Sequence, residues 1–335
     1  MKSLMCEVNF LQTQIKIFVS RRLDVDSTVV SNPIYKPVIC GAVYAKDEIN
    51  KKYLLEDDTG ENISSRRNSF CEFTVQYWAW KNEEANYYGL CHYRRYLTFL
   101  SKHFRANAQG QVMEGILDDF TIKKYGLLEE ERMRHIIEEN DVVVNEAADV
   151  NKIPTPLGFQ TSVYDHWVAH GGMFFDKRVL PILVETIHRL CPQYDKVTAE
   201  YLHGKWHRGY NCYVMKKTLF FQMCQFQFTV LFDLEKQFEK NGYVKNFERT
   251  LGYMGEIMYG IFVYYLQKQG SYKIKEVQLV YFEQTVLPDS QIQRLVDRFL
   301  FWAKFRFEDV GYKVLPKGSK RRDVVKNIYF SLVKR

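Results

Sequence analysis

The chain has 335 residues, 46% of them hydrophobic and 16% aromatic, with 47 Lys and Arg against 40 Asp and Glu for a net charge of +7. With 18 Gly and 8 Pro, this composition excludes a disordered or linker-rich chain and fits one large domain or two ordinary ones. The seven cysteines form no C-x-x-C pair and several sit in apolar runs, which argues against a disulfide framework or zinc site and for a reducing, cytoplasmic setting.

No stretch approaches the roughly 18 consecutive apolar residues of a membrane span, and Met1 to Gln14 lacks the apolar run of a signal peptide. Residues 1–14 read as an N-terminal extension. Charge is concentrated at the other end. Lys317 to Arg335 holds seven basic residues and one acidic one, leaving the body nearly neutral. A body without a broad basic face speaks against nucleic acid. A basic tail interleaved with Ile328, Tyr329, Phe330, Leu332 and Val333 suits an anionic membrane surface, where each Lys or Arg is worth about 1 kcal/mol.

Ile15 to Ser20 reads as a first buried strand ending in Arg21 and Arg22, and Pro37 to Ala45 as a second. Leu54 to Ile63 is polar and carries Asp57 and Asp58, adjacent carboxylates suited to a cation or to sugar hydroxyls. Ser69 to Lys81 repeats apolar residues at helical spacing, with Ser69 and Glu72 as a capping box. Tyr87 to Leu90 leads into His92-Tyr-Arg-Arg95. In an open α/β sheet the C-terminal end of a strand is where ligands bind, and two guanidinium forks there match a diphosphate.

Helices follow at Leu117 to Tyr125 and Glu129 to Asn140, a strand at Asp141 to Asn145, and a loop through Pro154 and Pro156. His166 and His170 would share a helix face, a spacing that could suit a metal but more often marks ordinary polar helix positions; His203 and His207 repeat the spacing in a polar loop around Trp206. A helix at Val179 to Leu190 and a strand-like run at Asn211 to Met215 come next. Long helices at Leu219 to Lys240 and Tyr253 to Gln267, a strand at Tyr272 to Glu283 and an amphipathic helix from Asp289 to Phe307 complete the order. Glu256 follows Leu251-Gly-Tyr-Met-Gly255 at the start of an apolar helix. Apolar surroundings raise a carboxyl pKa and suit a general base; a helix N-terminus equally favours an acid there. Strand, loop, helix, strand is the grammar of an α/β layer fold. G-x-G-x-x-G, Walker, H-E-x-x-H and G-x-S-x-G motifs do not occur.

Three blocks in combination, Asp57-Asp-Thr-Gly-Glu-Asn-Ile-Ser64, Asn68 to Asn82 (NSFCEFTVQYWAWKN) and Gly89-Leu-Cys-His-Tyr-Arg-Arg-Tyr96, resemble a family of bacterial capsular and exopolysaccharide glycosyltransferases. The segments Tyr210 to Met215 and Arg249 to Glu256 extend the resemblance, which spans residues 15–285. It implies an α/β fold, a single Rossmann-like domain of GT-A type, with a mainly helical C-terminal part. Residues 286–316 would add an amphipathic helix and 317–335 the basic tail. By the same resemblance the donor is a UDP-sugar, galactose the first guess, and the acceptor a lipid-linked oligosaccharide at the inner membrane face, in capsule, exopolysaccharide or O-antigen synthesis. Where GT-A relatives carry an Asp-x-Asp for a divalent ion, this chain has His92-Tyr-Arg-Arg95. Manganese or magnesium and the two arginines therefore stand as alternatives for neutralising the leaving diphosphate, with Asp57, Asp58 and Asp141 as the carboxylates for an ion. The expected roles are Arg94, Arg95 and His92 at the diphosphate, Asp57, Asp58 and Asn211 at sugar hydroxyls, and Glu256 as base in an inverting displacement. A retaining reaction needs no such base. A non-catalytic nucleotide-sugar-binding protein and a membrane-peripheral scaffold are the competing classes.

Overall fold

The structure, a computed structural model, describes residues 12–45, 54–245, 247–314 and 320–324. The expected N-terminal extension lies outside them up to residue 11, as does the basic tail at 317–319 and 325–335.

In the first half, β1 (Ile15–Arg21), β2 (Tyr35–Ile39) and β3 (Leu55–Glu56) precede α1 (Arg67–Phe70) and α2 (Phe73–Asn82). Then come β4 (Tyr87–His92), β5 (Arg95–Thr98), β6 (Gln111–Ile116), α3 (Asp119–Lys124), α4 (Glu130–Glu138) and β7 (Val142–Asn145). The segment read as a Pro-bearing loop contains the short strands β8 (Ala148–Asp149), β9 (Pro154–Thr155) and β10 (Gly158–Phe159). The second half runs α5 (Val163–Val168), α6 (Val179–Leu190), α7 (Asp195–His203), β11 (Trp206–His207), β12 (Tyr213–Lys216), α8 (Lys217–Asn241), α9 (Thr250–Gln269), β13 (Ile274–Gln284) and α10 (Gln291–Val314).

Nine strands among the described residues form the main sheet. β3, β2, β1 and β4 are parallel. β12 then inserts antiparallel between β4 and β7, and β7 runs parallel to β13. The long β13 continues past β7 to pair with β6 and β5, so the mainly helical last third also supplies a central strand.

Side chains alternate across these strands, as a pleat requires. Phe18, Tyr88, Leu90, Val144, Tyr213 and Met215 face one side and pack with α2, α6, α8 and α9. Ile17, Val19, Tyr87, Cys91, Val143 and Val214 face the other, with Ile122 of α3 and Met133 and Ile137 of α4. The result is three layers, a sheet covered by helices on both faces. Burying each large apolar side chain contributes roughly 1.5–3 kcal/mol before entropy is charged against it.

The expected capping box at Ser69 and Glu72 is absent. Helix α1 stops at Phe70, and Cys71 takes φ 53° and ψ −131°, a conformation costing a non-glycine residue about 1–3 kcal/mol. Glu72 occupies the N-cap position of α2 without a side-chain cap bond, which leaves its carboxylate for the cleft described below. A capping box does form at Asp118 and Thr121, at the start of the helix expected from Leu117.

Two motif blocks interlock. Asp57 is wholly buried and accepts hydrogen bonds from Gly41 N (2.9 Å), Ala42 N (2.9 Å), Ser64 Oγ (2.5 Å) and Thr74 Oγ1 (2.5 Å). Trp78 Nε1 donates to Thr59 Oγ1 at 2.8 Å and Tyr77 Oη to Glu61 Oε1 at 2.6 Å. The Asp57 to Ser64 loop and α2 are thus reciprocal hydrogen-bond partners, which explains why those two blocks occur together.

Candidate active site

Ser20 of β1 pairs in register with His92 of β4, so Arg22 and the His92 to Arg95 turn arrive at the same C-terminal edge. That edge opens into a cavity of about 1170 Å³ whose walls include Arg22, His92, Arg94, Arg95 and Arg249. A smaller cavity of about 250 Å³ shares Arg22, Glu72, His92 and Arg249 with it.

The arginines are held before any ligand binds. His92 pairs with Arg95 across a tight hairpin whose turn is Tyr93-Arg94. Arg94 donates from Nε to Tyr93 Oη and from Nη1 to Tyr281 Oη, both at 3.1 Å. The Arg95 guanidinium lies 4.9 Å from the ring centre of Tyr210 and 5.2 Å from that of Tyr281. Its buried Nε has no hydrogen-bond partner among the described residues. Aromatic faces fix the fork by cation–π attraction and leave donors for an anion. Burial, and then the charges of Arg95, Arg94, Arg249 and Arg22, hold the His92 imidazole well below its ordinary pKa. The ring is therefore neutral, and the positive field comes from the arginines.

Glu256 reaches the cleft from α9. Arg249, Tyr253 and Glu256 stand at i, i+4 and i+7, one helix face, and all three line the large cavity. A buried chain of hydrogen bonds fixes that helix. Tyr213 Oη donates to Gln76 Oε1 (2.9 Å), Gln76 Nε2 to Gln227 Oε1 (2.7 Å), and Gln227 Nε2 to the carbonyl of Gly255 (3.0 Å). Gly255 is required there, since a Cβ would lie 2.4 Å from the Phe73 ring. Burial and then the Glu72 charge push the Glu256 carboxyl up to about 7, against the opposing pull of Arg95, a hydrogen bond from the Tyr210 backbone, and Arg249. A carboxyl poised there is half ionised near neutrality, the range in which a general base works best.

The turn before β12 completes the site. Tyr210 and Asn211 have φ of 74° and 46°, two consecutive left-handed non-glycine residues, each costing about 1–3 kcal/mol. The turn delivers the Tyr210 ring to Arg95, the Tyr210 backbone to Glu256 and Asn211 Nδ2 to Glu72 Oε1 at 2.9 Å.

Of the residues singled out from sequence, His92, Arg94, Arg95 and Glu256 share this cleft. Asp57 and Asp58 are not on its walls, and the Asp57 carboxylate is filled by its four donors. Asn211 is 1% exposed and turned toward Glu72; the expected strand there begins only at Tyr213. Asp141 is bound to Lys216 at 2.7 Å and to Lys273 N at 2.7 Å. The carboxylates expected for an ion therefore do not gather at the arginine edge. Among the described residues no group of three or more His, Cys, Asp or Glu is placed to hold a metal ion. His166, His170 and His207 do come together, with ring centres 4.7 Å (His166 to His170) and 5.8 Å (His166 to His207) apart, as part of an aromatic wall. His203 ends α7 away from it.

Sequence reading missed Arg249, Glu72, Tyr210 and Tyr281 as site residues. The i, i+4, i+7 spacing of Arg249, Tyr253 and Glu256 was a legible signal. The hydrogen bond of Glu72 to Asn211, 139 residues away, had none.

These features define an α/β protein with an arginine-lined cleft at the C-terminal edge of its parallel strands. The structure is similar to the "WbbM bifunctional glycosytransferase apo structure", with 28% identity and a TM-score of 0.71 over 83% of this chain and 48% of that one. Residues 16–269 match a domain of unknown function, DUF4422, and the chain belongs to that family. No curated protein matches the chain.

Proposed function

We propose that the protein is a glycosyltransferase of GT-A type that moves a hexose, galactose in the first instance, from a UDP-sugar to a lipid-linked oligosaccharide of capsule, exopolysaccharide or O-antigen synthesis. The observation that carries this reading is the meeting of Arg22, Arg94, Arg95 and Arg249 with one carboxyl of raised pKa in a single cleft. The parallel strands ending at the arginines and the likeness to a bifunctional glycosyltransferase support it.

In the proposed reaction the diphosphate lies on Arg94 and Arg95, with Arg22 and Arg249 around it. Glu256 takes the proton of the acceptor hydroxyl. The acceptor oxygen bonds to the anomeric carbon as that carbon's bond to the phosphate oxygen breaks, and UDP leaves with the added negative charge on the arginine donors. Fixed guanidinium groups stabilise charge that develops in the transition state without reorganising. That assigns to arginine the work an ion does elsewhere, and the reading is of transfer without a metal. Burial and then the Glu72 charge keep Glu256 basic enough, and Asn211 holds Glu72. Displacement from the opposite face inverts the anomeric centre.

A peripheral position at the inner membrane face belongs to the same reading. Among the described residues no helix is long and apolar enough to cross a membrane. On α10, however, Ile292, Leu295, Phe299 and Trp302 are 56–75% exposed on one face of a helix flanked by Arg294, Lys304 and Arg306, a pattern suited to a lipid interface.

A thermal-shift screen of nucleotide sugars tests the proposal. A ligand at 100 times its dissociation constant stabilises by about 2.7 kcal/mol. UDP-galactose or another UDP-sugar should raise the melting temperature and release UDP slowly without acceptor. Stabilisation without UDP release would favour a non-catalytic binding protein, and no stabilisation by any UDP-sugar would favour a scaffold.

A further inference from the structure

The large cleft has a second pole whose chemistry is opposite to that of the arginines. Helix α5, capped by Ser162, ends in a turn through Gly172 at φ 84° that presents Phe174. His170 and Phe174 stack at 5.2 Å and 13°, and Phe174 stacks on Tyr253 of α9 at 5.2 Å and 30°. Trp167 stands perpendicular to His207 at 5.4 Å. Trp167, His170, Phe174, His207 and Tyr253 all line the cleft.

Two polar atoms in this wall are orphaned. His166 and Trp167 are 7% and 6% exposed, and His166 Nδ1 and Trp167 Nε1 have no hydrogen-bond partner among the described residues. A buried polar atom left unpaired costs about 1–3 kcal/mol, and a buried indole N–H ordinarily finds an acceptor. Burial lowers His166 to about 4 and His207 to about 3, so both rings are uncharged near neutrality.

We infer that this wall is a binding site for a neutral sugar ring, whose apolar C–H face packs against the exposed part of the stacked His170–Phe174–Tyr253 column and whose hydroxyls pair with Trp167 Nε1 and His166 Nδ1. The two orphan atoms belong to uncharged rings, and the positive charge felt at Tyr253 is that of Arg249 at the arginine pole. A purely aliphatic chain would leave both orphan atoms unpaired. Apolar walls with a few placed polar groups are the usual make-up of small-ligand sites, and a pyranose offers both surfaces. Tyr253 and Glu256 are one turn apart on α9, so a sugar on Tyr253 lies beside the carboxyl. That the sugar is the acceptor rests on the proposed transfer; that the wall binds a sugar does not.

Saturation-transfer difference NMR with the methyl glycosides of galactose, glucose and mannose, each with and without UDP, tests the inference on the full chain. At least one glycoside should receive saturation on its ring protons. Phe174→Ala, on a partly exposed ring, should cut that signal at least fivefold. Trp167→Phe keeps a six-membered aromatic ring, removes the indole N–H together with the five-membered ring, and should cut it as well. UDP titration of the same samples reports the other pole. No ring-proton signal from any glycoside on a protein that binds UDP overturns the inference and leaves the donor reading standing, as does an undiminished signal in both variants. Glycoside binding that the variants lose, on a protein that does not bind UDP, upholds the sugar site and defeats the donor reading.

Discussion

The Glu256 carboxylate occupies the space that a side chain at position 209 would fill. A Cβ on Gly209 would lie 2.5 Å from Glu256 Oε1 and 3.0 Å from His207 Nε2. Gly209→Ala must therefore push Glu256 off its position. A displacement of about 1 Å at a reacting group can cost 100-fold in rate, so initial rates should fall by about that factor, with UDP affinity unchanged by titration calorimetry.

Glu256→Gln keeps the shape and removes the proton acceptor. Transfer should fall by roughly 100-fold or more, and wild-type kcat/KM should rise with pH through about 7, where the carboxyl ionises. Rates measured from pH 5.5 to 8.5 check both. A folded Gln variant with normal turnover would remove Glu256 from the reaction; α9 begins at Thr250, so the helix start expected at Glu256 does not explain it either.

The same carboxyl makes stability depend on pH. Its pKa is about 7 in the fold against the ordinary 4.5, so the folded protein holds the proton more tightly than the unfolded chain. The stability this confers is complete below 4.5 and is lost as pH rises through about 7. Wild type should therefore lose stability relative to Glu256→Gln across that window, by at most roughly 3 kcal/mol. Urea melts of both proteins at pH 5 and pH 8 measure it.

Glu72→Gln removes the nearest like charge from Glu256. The acid limb of the pH–rate profile should move to lower pH, a shift that a merely structural role for Glu72 would not produce. Asn211→Ala, which frees the Glu72 carboxylate, should broaden or move the same limb without touching the cleft wall.

The tail and α10 carry the expected membrane contact. Deleting 317–335 should release the protein from vesicles containing phosphatidylglycerol, and added salt should weaken wild-type binding, since surface attraction is screened over about 8 Å at physiological ionic strength. Arg322 and Asp323 also line the cleft, so UDP affinity should be followed in the same deletion. Equal flotation of both proteins would leave the contact to α10, where Phe299→Asp should abolish it.

Much of the fold was legible because periodicity is local. The apolar faces of α6, α8 and α9 were readable within a residue or a few of their ends, and β1 and β4 within their apolar runs. Short strands were not. β5 is only four residues long and β6 is broken by Glu114 and Gly115; both pair with β13, which lies far along the chain. In the cleft, His92, Arg94 and Arg95 were visible because their residue types sit at a strand end, and Glu256 because it interrupts an apolar helix. Asp57 misled because a carboxylate that ties four backbone and hydroxyl donors together looks, in sequence, like one that holds a ligand. Glu72 was hidden by a capping pattern that Cys71 breaks by turning to positive φ.

UDP binding to wild type, Arg94→Ala and Arg95→Ala in excess EDTA tests the central claim most directly. Each arginine should contribute a charge-assisted contact of about 1.5–3 kcal/mol. Calorimetry should then show saturable binding to wild type with chelator present, weakened roughly 10- to 150-fold in either variant. No binding of UDP to folded wild type, binding restored only by manganese or magnesium, or equal affinity in all three proteins would contradict a metal-free arginine site for the diphosphate.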